Sequence, residues 1–209
     1  VGIIERKERE KEQRRKDIVD AAEIIFYEKG FEVATMQDIA DRCELSKGTL
    51  YLYFTNKNEL CLAIFSRSLE ILYKIFQKSL DPQQDLRAQI NLLTEKFLDF
   101  VQSYPAHYRA MLSFRQHGWQ CSQDNEFIIS CQAQHQQIGR LITEIFLAAK
   151  ERGELASDQN CQQLAALIWS QKTGMFCSAN LWDKQQIDLA AANNVRLFIK
   201  LLLQAIIKA

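Results

Sequence analysis

Proline occurs only twice in the 209 residues, at Pro82 and Pro105, and glycine only seven times. A chain so poor in both lacks the tight turns of a sandwich or barrel, and long helices become the expectation. No apolar run reaches the roughly 20 residues that a membrane-spanning helix needs. The nearest, LFIKLLLQAII, is short and is broken by Lys200 and Gln204. The charged first segment is not followed by an apolar stretch of the signal-peptide kind, so the expected compartment is cytoplasmic, with no membrane partner. Formal net charge is zero, so any attraction for a polyanion must come from a local cluster.

Catalytic signatures are missing as well. No GxSxG, GxGxxG, GxxxxGK, HExxH or Glu-x-x-His pattern occurs. The three histidines stand beside no plausible nucleophile. No enzyme and no cofactor is expected. The six cysteines, Cys43, Cys61, Cys121, Cys131, Cys161 and Cys177, form no Cys-x-x-Cys pair and fall inside helical patterns. They read as reduced, mostly buried thiols. His117 and Cys121 are four apart, as are Cys131 and His135, which puts each pair on one helix face. Gly118 interrupts the first pair, and a site needs further ligands that spacing does not supply. An all-α enzyme, or a metal- or redox-sensing helical protein, is the alternative reading.

What is present is helical periodicity from end to end. After the mixed-charge lead-in ERKEREKEQRRKD, the residues Ile18, Ala21, Ala22, Ile25 and Phe26 recur at helical spacing, and Gly30 stops the run. Thr35 with Asp38 makes a shortened capping box for a helix over 36–43. Ser46 caps a third helix over 47–54, and Asn56 opens a long fourth one to Ser79. Pro82 breaks the chain. Further helices are expected to Ser103, from Pro105 to Gly118, over 124–152, from Asp158 to Asn180, and from Asp183 or Lys184 to the end. The expectation is an all-α chain of about nine helices.

Helices two and three are short and joined by the tight turn CELS, which is helix-turn-helix spacing. On a 100° wheel, Leu50 and Phe54 of helix three share the inner face. Gly48 and Leu52 point the opposite way, flanked by Thr49, Tyr51 and Tyr53. Lys47 and Lys57 stand at its two ends. An outer face with no carboxylate, with hydroxyls, a bare glycine and two lysines, suits the negative floor of a DNA groove. Thr35 and Ser46 each place a helix start where a phosphate can dock. The basic Arg14, Arg15 and Lys16 read either as a solvated face or as a minor-groove arm.

The segment TMQDIADRCELSKGTLYLYFTNKNEL, with the lead-in IVDAAEIIFYEKGFEVAT, resembles the helix-turn-helix of TetR-type transcriptional regulators over about Arg15 to Leu60. The resemblance implies an N-terminal three-helix DNA-binding domain, 1–56, and a C-terminal helical ligand-binding and dimerisation domain, 57–209. It implies a homodimer that represses transcription from a palindromic double-stranded DNA operator and is released by a small, largely apolar effector. It places Lys47, Tyr51, Tyr53 and Lys57 at DNA-contacting positions, with Thr35 and Ser46 at phosphates. The family usually has glycine where this chain has Glu44, and a non-glycine residue in a left-handed turn costs about 1 kcal/mol.

The rest of the chain matches that family only in outline. The aromatics Phe97, Phe100, Tyr104, Tyr108, Phe114 and Phe127 fit either core or the wall of an effector pocket. Helix nine is apolar on more than one side, with a stripe at Ala191, Val195, Phe198, Leu202 and Ile206. Helix eight adds Leu164, Ile168, Met175 and Phe176, with Gly174 allowing close approach. A helix apolar on two sides must be buried on two sides. The expectation is a four-helix dimer interface through Leu164, Ile168, Met175, Val195, Phe198 and Leu202. Helix four, free of Gly and Pro, is expected to couple effector to DNA.

Overall fold

The computed structural model describes residues 2–117, 125–174 and 189–207. Among them lie nine helices: α1 (Ile3–Lys29), α2 (Met36–Arg42), α3 (Lys47–Tyr51), α4 (Lys57–Ser79), α5 (Leu86–Ser103), α6 (Pro105–His117), α7 (Glu126–Glu151), α8 (Cys161–Gly174) and α9 (Leu189–Ile206). The chain is all-α as expected, and among the described residues one isolated bridge, Leu155 to Ile207, is the only extended pairing. No described helix is long and apolar enough to cross a membrane.

Local chemistry accounts for the helix ends. Gly30 terminates α1 at φ 79°, with its N–H on the Phe26 carbonyl, a backbone state that suits glycine. Thr35 and Asp38 close a reciprocal box at the start of α2: the Asp38 N–H donates to Thr35 Oγ1 at 3.1 Å, and the Thr35 N–H to Asp38 Oδ2 at 2.9 Å. The hydrogen bond from the Lys29 ammonium, and then those from the Thr35 N–H and hydroxyl, hold the Asp38 carboxyl down at about 2. Asn56 and Glu59 repeat the device at α4: Asn56 Oδ1 accepts from the Glu59 N–H, and Glu59 Oε2 from the Thr55 N–H. Three ends differ from the sequence expectation. Helix α7 begins at Glu126, and Asn125 Oδ1 accepts from the Phe127 N–H. Helix α8 is capped by Asn160, whose Oδ1 accepts from the Gln163 N–H, rather than by Asp158. Helix α3 stops at Tyr51, and the chain tightens through Leu52 N–H to Thr49 and Tyr53 N–H to Leu50, which leads Phe54 into the core. Asn180 and the start expected at Asp183 or Lys184 lie outside the described residues.

By packing, the chain divides into two compact units. The first holds residues 1–68 with 106–129; the second holds 69–105 with 130–209. The packing boundary thus differs from the division at 56/57: the start of α4, most of α6 and the first residues of α7 belong with the N-terminal helices. The reason is hydrophobic continuity. Leu60, Leu62 and Ile64 of α4 and Ala110 of α6 are buried in one cluster with Ile18, Ala22, Ile39, Leu50 and Phe54, and Phe127 and Ile128 pack against it. In the second unit, α5 buries Leu86, Ile90, Leu93 and Phe97, and α7 buries Ile138, Ile142 and Phe146.

Within that second unit the inner stripe of α9 is Ala192, Val195, Ile199, Leu203 and Ile206, all buried. The residues expected at a dimer interface are placed differently from one another by this packing. Leu164, Ile168 and Val195 lie inside the chain's own core, and Phe198 and Leu202 are half-buried at the edge of the stripe. On α8 and α9 the large apolar side chains left to solvent, among the described residues, are Leu167, Leu197 and Leu201. Periodicity finds a stripe on such a helix but not which of two stripes faces inward. Met175, Phe176 and the side chain of Ala191 lie outside the described residues, as do Cys121, Cys177 and the side chains of Phe114 and His117.

Candidate nucleic-acid interface

The turn between α2 and α3 is set by Glu44, which takes φ 55°, the only left-handed non-glycine residue among those described. Its N–H donates to Asp41 and the Leu45 N–H to Ala40, which folds the chain back over α2. Leu45 packs partly against the core, and Leu50 and Phe54 are fully buried. Those anchors fix the rotation of α3 and decide which residues face out.

Lys47 and Gly48 are exposed, Tyr51 is 44 % exposed and Leu52 is 80 % exposed. The Lys47 ammonium lies 6.0 Å from the centre of the Tyr51 ring, so the cation rests near an aromatic face. A Cβ built on Gly48 would meet only Ser46 Oγ, at 3.8 Å. The fold itself therefore has no need of the glycine, and the open side of the backbone is free to approach something outside. Ser46 Oγ accepts from the Thr49 N–H at 3.0 Å and shares a hydrogen bond with Thr49 Oγ1 at 2.8 Å. Both hydroxyls thus stabilise the first turn of α3. Tyr53 is half-buried against the core. Thr35 stays exposed at the start of α2.

Lys57 differs from its expected place. Its ammonium donates to the carbonyls of Phe31, Glu32 and Ala34, at 2.5, 3.1 and 3.0 Å, and lies over the Phe31 ring at 4.6 Å. All three N–H donors are used within the chain. Lys57 holds the α1–α2 turn and is a positioning residue. Lys57→Met should cost about 1.5–3 kcal/mol in urea denaturation, because charged hydrogen bonds are lost. It should leave the salt dependence of DNA binding unchanged, whereas Lys47→Ala should leave stability unchanged and flatten that dependence by about one unit of slope.

One residue behind this face was not legible as a site. The Arg15 guanidinium lies 5.4 Å from the Phe54 ring and 5.2 Å from the Phe127 ring, and it pairs with Glu126. The two rings stack at 5.9 Å with 15° between planes. Arg15 is therefore neither a solvated charge nor a minor-groove arm. It clamps Phe54, three residues past the end of α3, to the start of α7. Asn125 adds a bond to Glu59 at 3.3 Å. No local signal marks it, since its partners are 39 and 112 residues away in sequence (Phe54 and Phe127).

The expected pocket aromatics divide. Phe97 and Phe100 are buried in the second unit, and Tyr104 stacks on Phe100 at 5.4 Å. Tyr108 and Phe127 belong to the first unit, and Phe127 serves as core behind the reading helix. A groove of about 420 Å³ does occur in the second unit, between α7 and α8, lined by His135, Gly139, Arg140, Thr143, Ala165 and Trp169 among others. There the Trp169 indole N–H donates to His135 Nδ1 at 3.0 Å, and burial lowers the His135 pKa. None of the five expected aromatics whose side chains are described (Phe97, Phe100, Tyr104, Tyr108 and Phe127) lines it. Among the described residues no group of three or more His, Cys, Asp or Glu is placed to hold a metal.

Comparison with known proteins gives the same orientation. Residues 18–64 match the family model described as bacterial regulatory proteins, tetR family. The helix-turn-helix-type transcriptional regulator YfiR of Bacillus subtilis is 22% identical over 200 residues, 93% of this chain and 94% of its own length. The transcriptional activator FasR of Mycolicibacterium smegmatis is 33% identical over 99 residues, 47% of this chain and 45% of its own. The structure of the Bacillus subtilis regulator FadR in complex with stearoyl-CoA superposes with a TM-score of 0.69 at 17% identity, over 90% of this chain and 97% of that one.

Proposed function

We propose, for a chain that belongs to the tetR family of bacterial regulatory proteins, that it is a homodimeric repressor which binds a palindromic operator and leaves it when a small molecule enters the second unit. The observation that carries this is the outer face of α3: Lys47, Gly48, Tyr51 and Leu52 project together, with no acid among them, from a helix whose inner face is locked by Leu50 and Phe54. Such a face supplies a cation for phosphates, an open backbone for close approach, and side chains for base edges.

Two helices are the proposed route from effector to DNA. Helix α4 gives Lys57–Ser68 to the first unit and Leu69–Ser79 to the second. Helix α7 likewise starts within the first unit, where Glu126 and Phe127 hold Arg15 and Phe54, and continues from Ser130 in the second. A change in the second unit that shifts either helix disturbs the residues behind α3. A two-fold operator needs its reading helices about 34–36 Å apart, so a small displacement lowers affinity. By linkage, operator DNA must weaken effector binding by the same factor.

The test is binding to operator and to bulk DNA across a salt series. Operator binding is expected to be tight and two-to-one, and both DNAs should show a steep loss of affinity with salt. Salt-independent binding, or none at low salt, overturns the reading and favours a helical protein with no nucleic-acid role.

A further inference from the structure

Lys172 on α8 is wholly buried, and the hydroxyl of Thr94 on α5, at 3.0 Å, is its one hydrogen-bond partner among the described residues. Thr94 Oγ1 in turn donates to the Ile90 carbonyl at 2.7 Å. An ammonium has three donors, so two are unused. No acid lies within α8 itself. On α5, Glu95 is engaged by Arg196 of α9, and Asp99 by Lys96. On α7, His135 accepts from Trp169. Among the described residues, the groups on these helices thus offer this lysine no counter-charge. Its neighbours at helical spacing are apolar: Ile168 and Trp169 on α8, and Ile90, Phe97 and Leu98 around Thr94 on α5, all buried.

An unpaired charge in an apolar interior is costly, and it is retained in a folded chain only neutral or matched by an anion. A methionine would fill nearly the same space without that cost. What the ammonium adds is a charge to be met. We propose that Lys172 is an anion anchor inside the second unit and takes the carboxylate of an otherwise apolar acid. A carboxylate fits better than a phosphate, because the two unused N–H donors of the ammonium match two oxygens and leave none for a third. This rests on the reading of the chain as an effector-responsive regulator, and it names the effector class.

The pKa of the free lysine supports the idea. Desolvation holds it down to about 7. A bound carboxylate favours the charged form and raises that pKa, so binding takes up a proton above pH 7. Affinity for an acid should then fall as pH rises from 7 to 9, while affinity for the matching alcohol should not.

The experiment uses the full chain with dodecanoate and 1-dodecanol, which differ only in the head group. Wild type is expected to bind dodecanoate at least tenfold tighter. Lys172→Met should erase that preference, keep dodecanol binding and raise the melting temperature. Thr94→Val should reduce the preference and keep the fold. Equal affinity of wild type for both probes, no saturable binding of dodecanoate, or a Lys172→Met protein that melts lower and loses both probes would overturn the proposal. Operator binding by wild type is measured beside it. Its loss would overturn the regulator reading, whereas its persistence with no acid preference would overturn the anchor alone.

Discussion

Leu201→Glu is expected to leave the fold intact, convert the protein to monomers and cut operator affinity about 100-fold or more. Leu201 is 55 % exposed, Leu197 53 % and Leu167 52 %. The two leucines of α9 are four residues apart and share its outer face. Roughly half of each side chain remains to be buried, about 1 kcal/mol apiece, and a two-fold interface counts each of them twice. A carboxylate at that position must be desolvated and would face its own copy across the axis. The loss at the operator follows from geometry. Two linked reading helices gain a large effective concentration for the second half-site, commonly worth 10²–10⁴, and a monomer forfeits it. The contrasting variant is Ile168→Ala, which should lower stability by about 2–5 kcal/mol, because Ile168 is fully buried in its own chain. Sedimentation velocity with thermal melting separates the two. A Leu201→Glu protein that stays dimeric at micromolar concentration would place the interface elsewhere.

Leu52→Ala should change which operator is preferred while leaving the melting temperature nearly unchanged. A side chain 80 % exposed contributes little to the core, so its removal costs little stability. Its neighbours on the outer face, Gly48 and Tyr51, let the helix sit close to a groove floor. An apolar side chain there can pack on the C5-methyl of thymine. Loss of that contact should relax preference at one symmetric pair of positions by about 1 kcal/mol or more per half-site. Binding to unrelated DNA, which depends on Lys47 and the backbone, should stay as it was. A binding-site selection on both proteins reads the difference. An unchanged preference would assign the readout to Thr49 and Tyr51 without Leu52.

Much of the reading unit was legible in the sequence because its determinants are local. Gly30, the Thr35–Asp38 box, Ser46 and Asn56 each set a helix end through atoms at most four residues away. The wheel of α3 turned Leu50 and Phe54 inward and Leu52 outward, and the burial pattern agrees. Glu44 was singled out as a residue in a glycine's place, and it carries the left-handed backbone. These features depend on short spacings and on the handedness of the chain.

Other features were settled only by what folds against what. Lys57 has the look of a phosphate contact until the carbonyls of Phe31, Glu32 and Ala34 come round to meet it. Arg15 and Phe127 are unremarkable alone and become a clamp once α7 starts beside Phe54. Helix α9 has apolar residues on two sides, and its own chain takes the Val195 side and leaves the Leu201 side. Lys172 carries no local signal in α8, and its hydroxyl partner comes from α5. In each case the deciding atom comes from a segment more than 20 residues away. Periodicity specifies that a face exists and how wide it is; which neighbour covers that face, and which donors find acceptors there, is decided by tertiary packing.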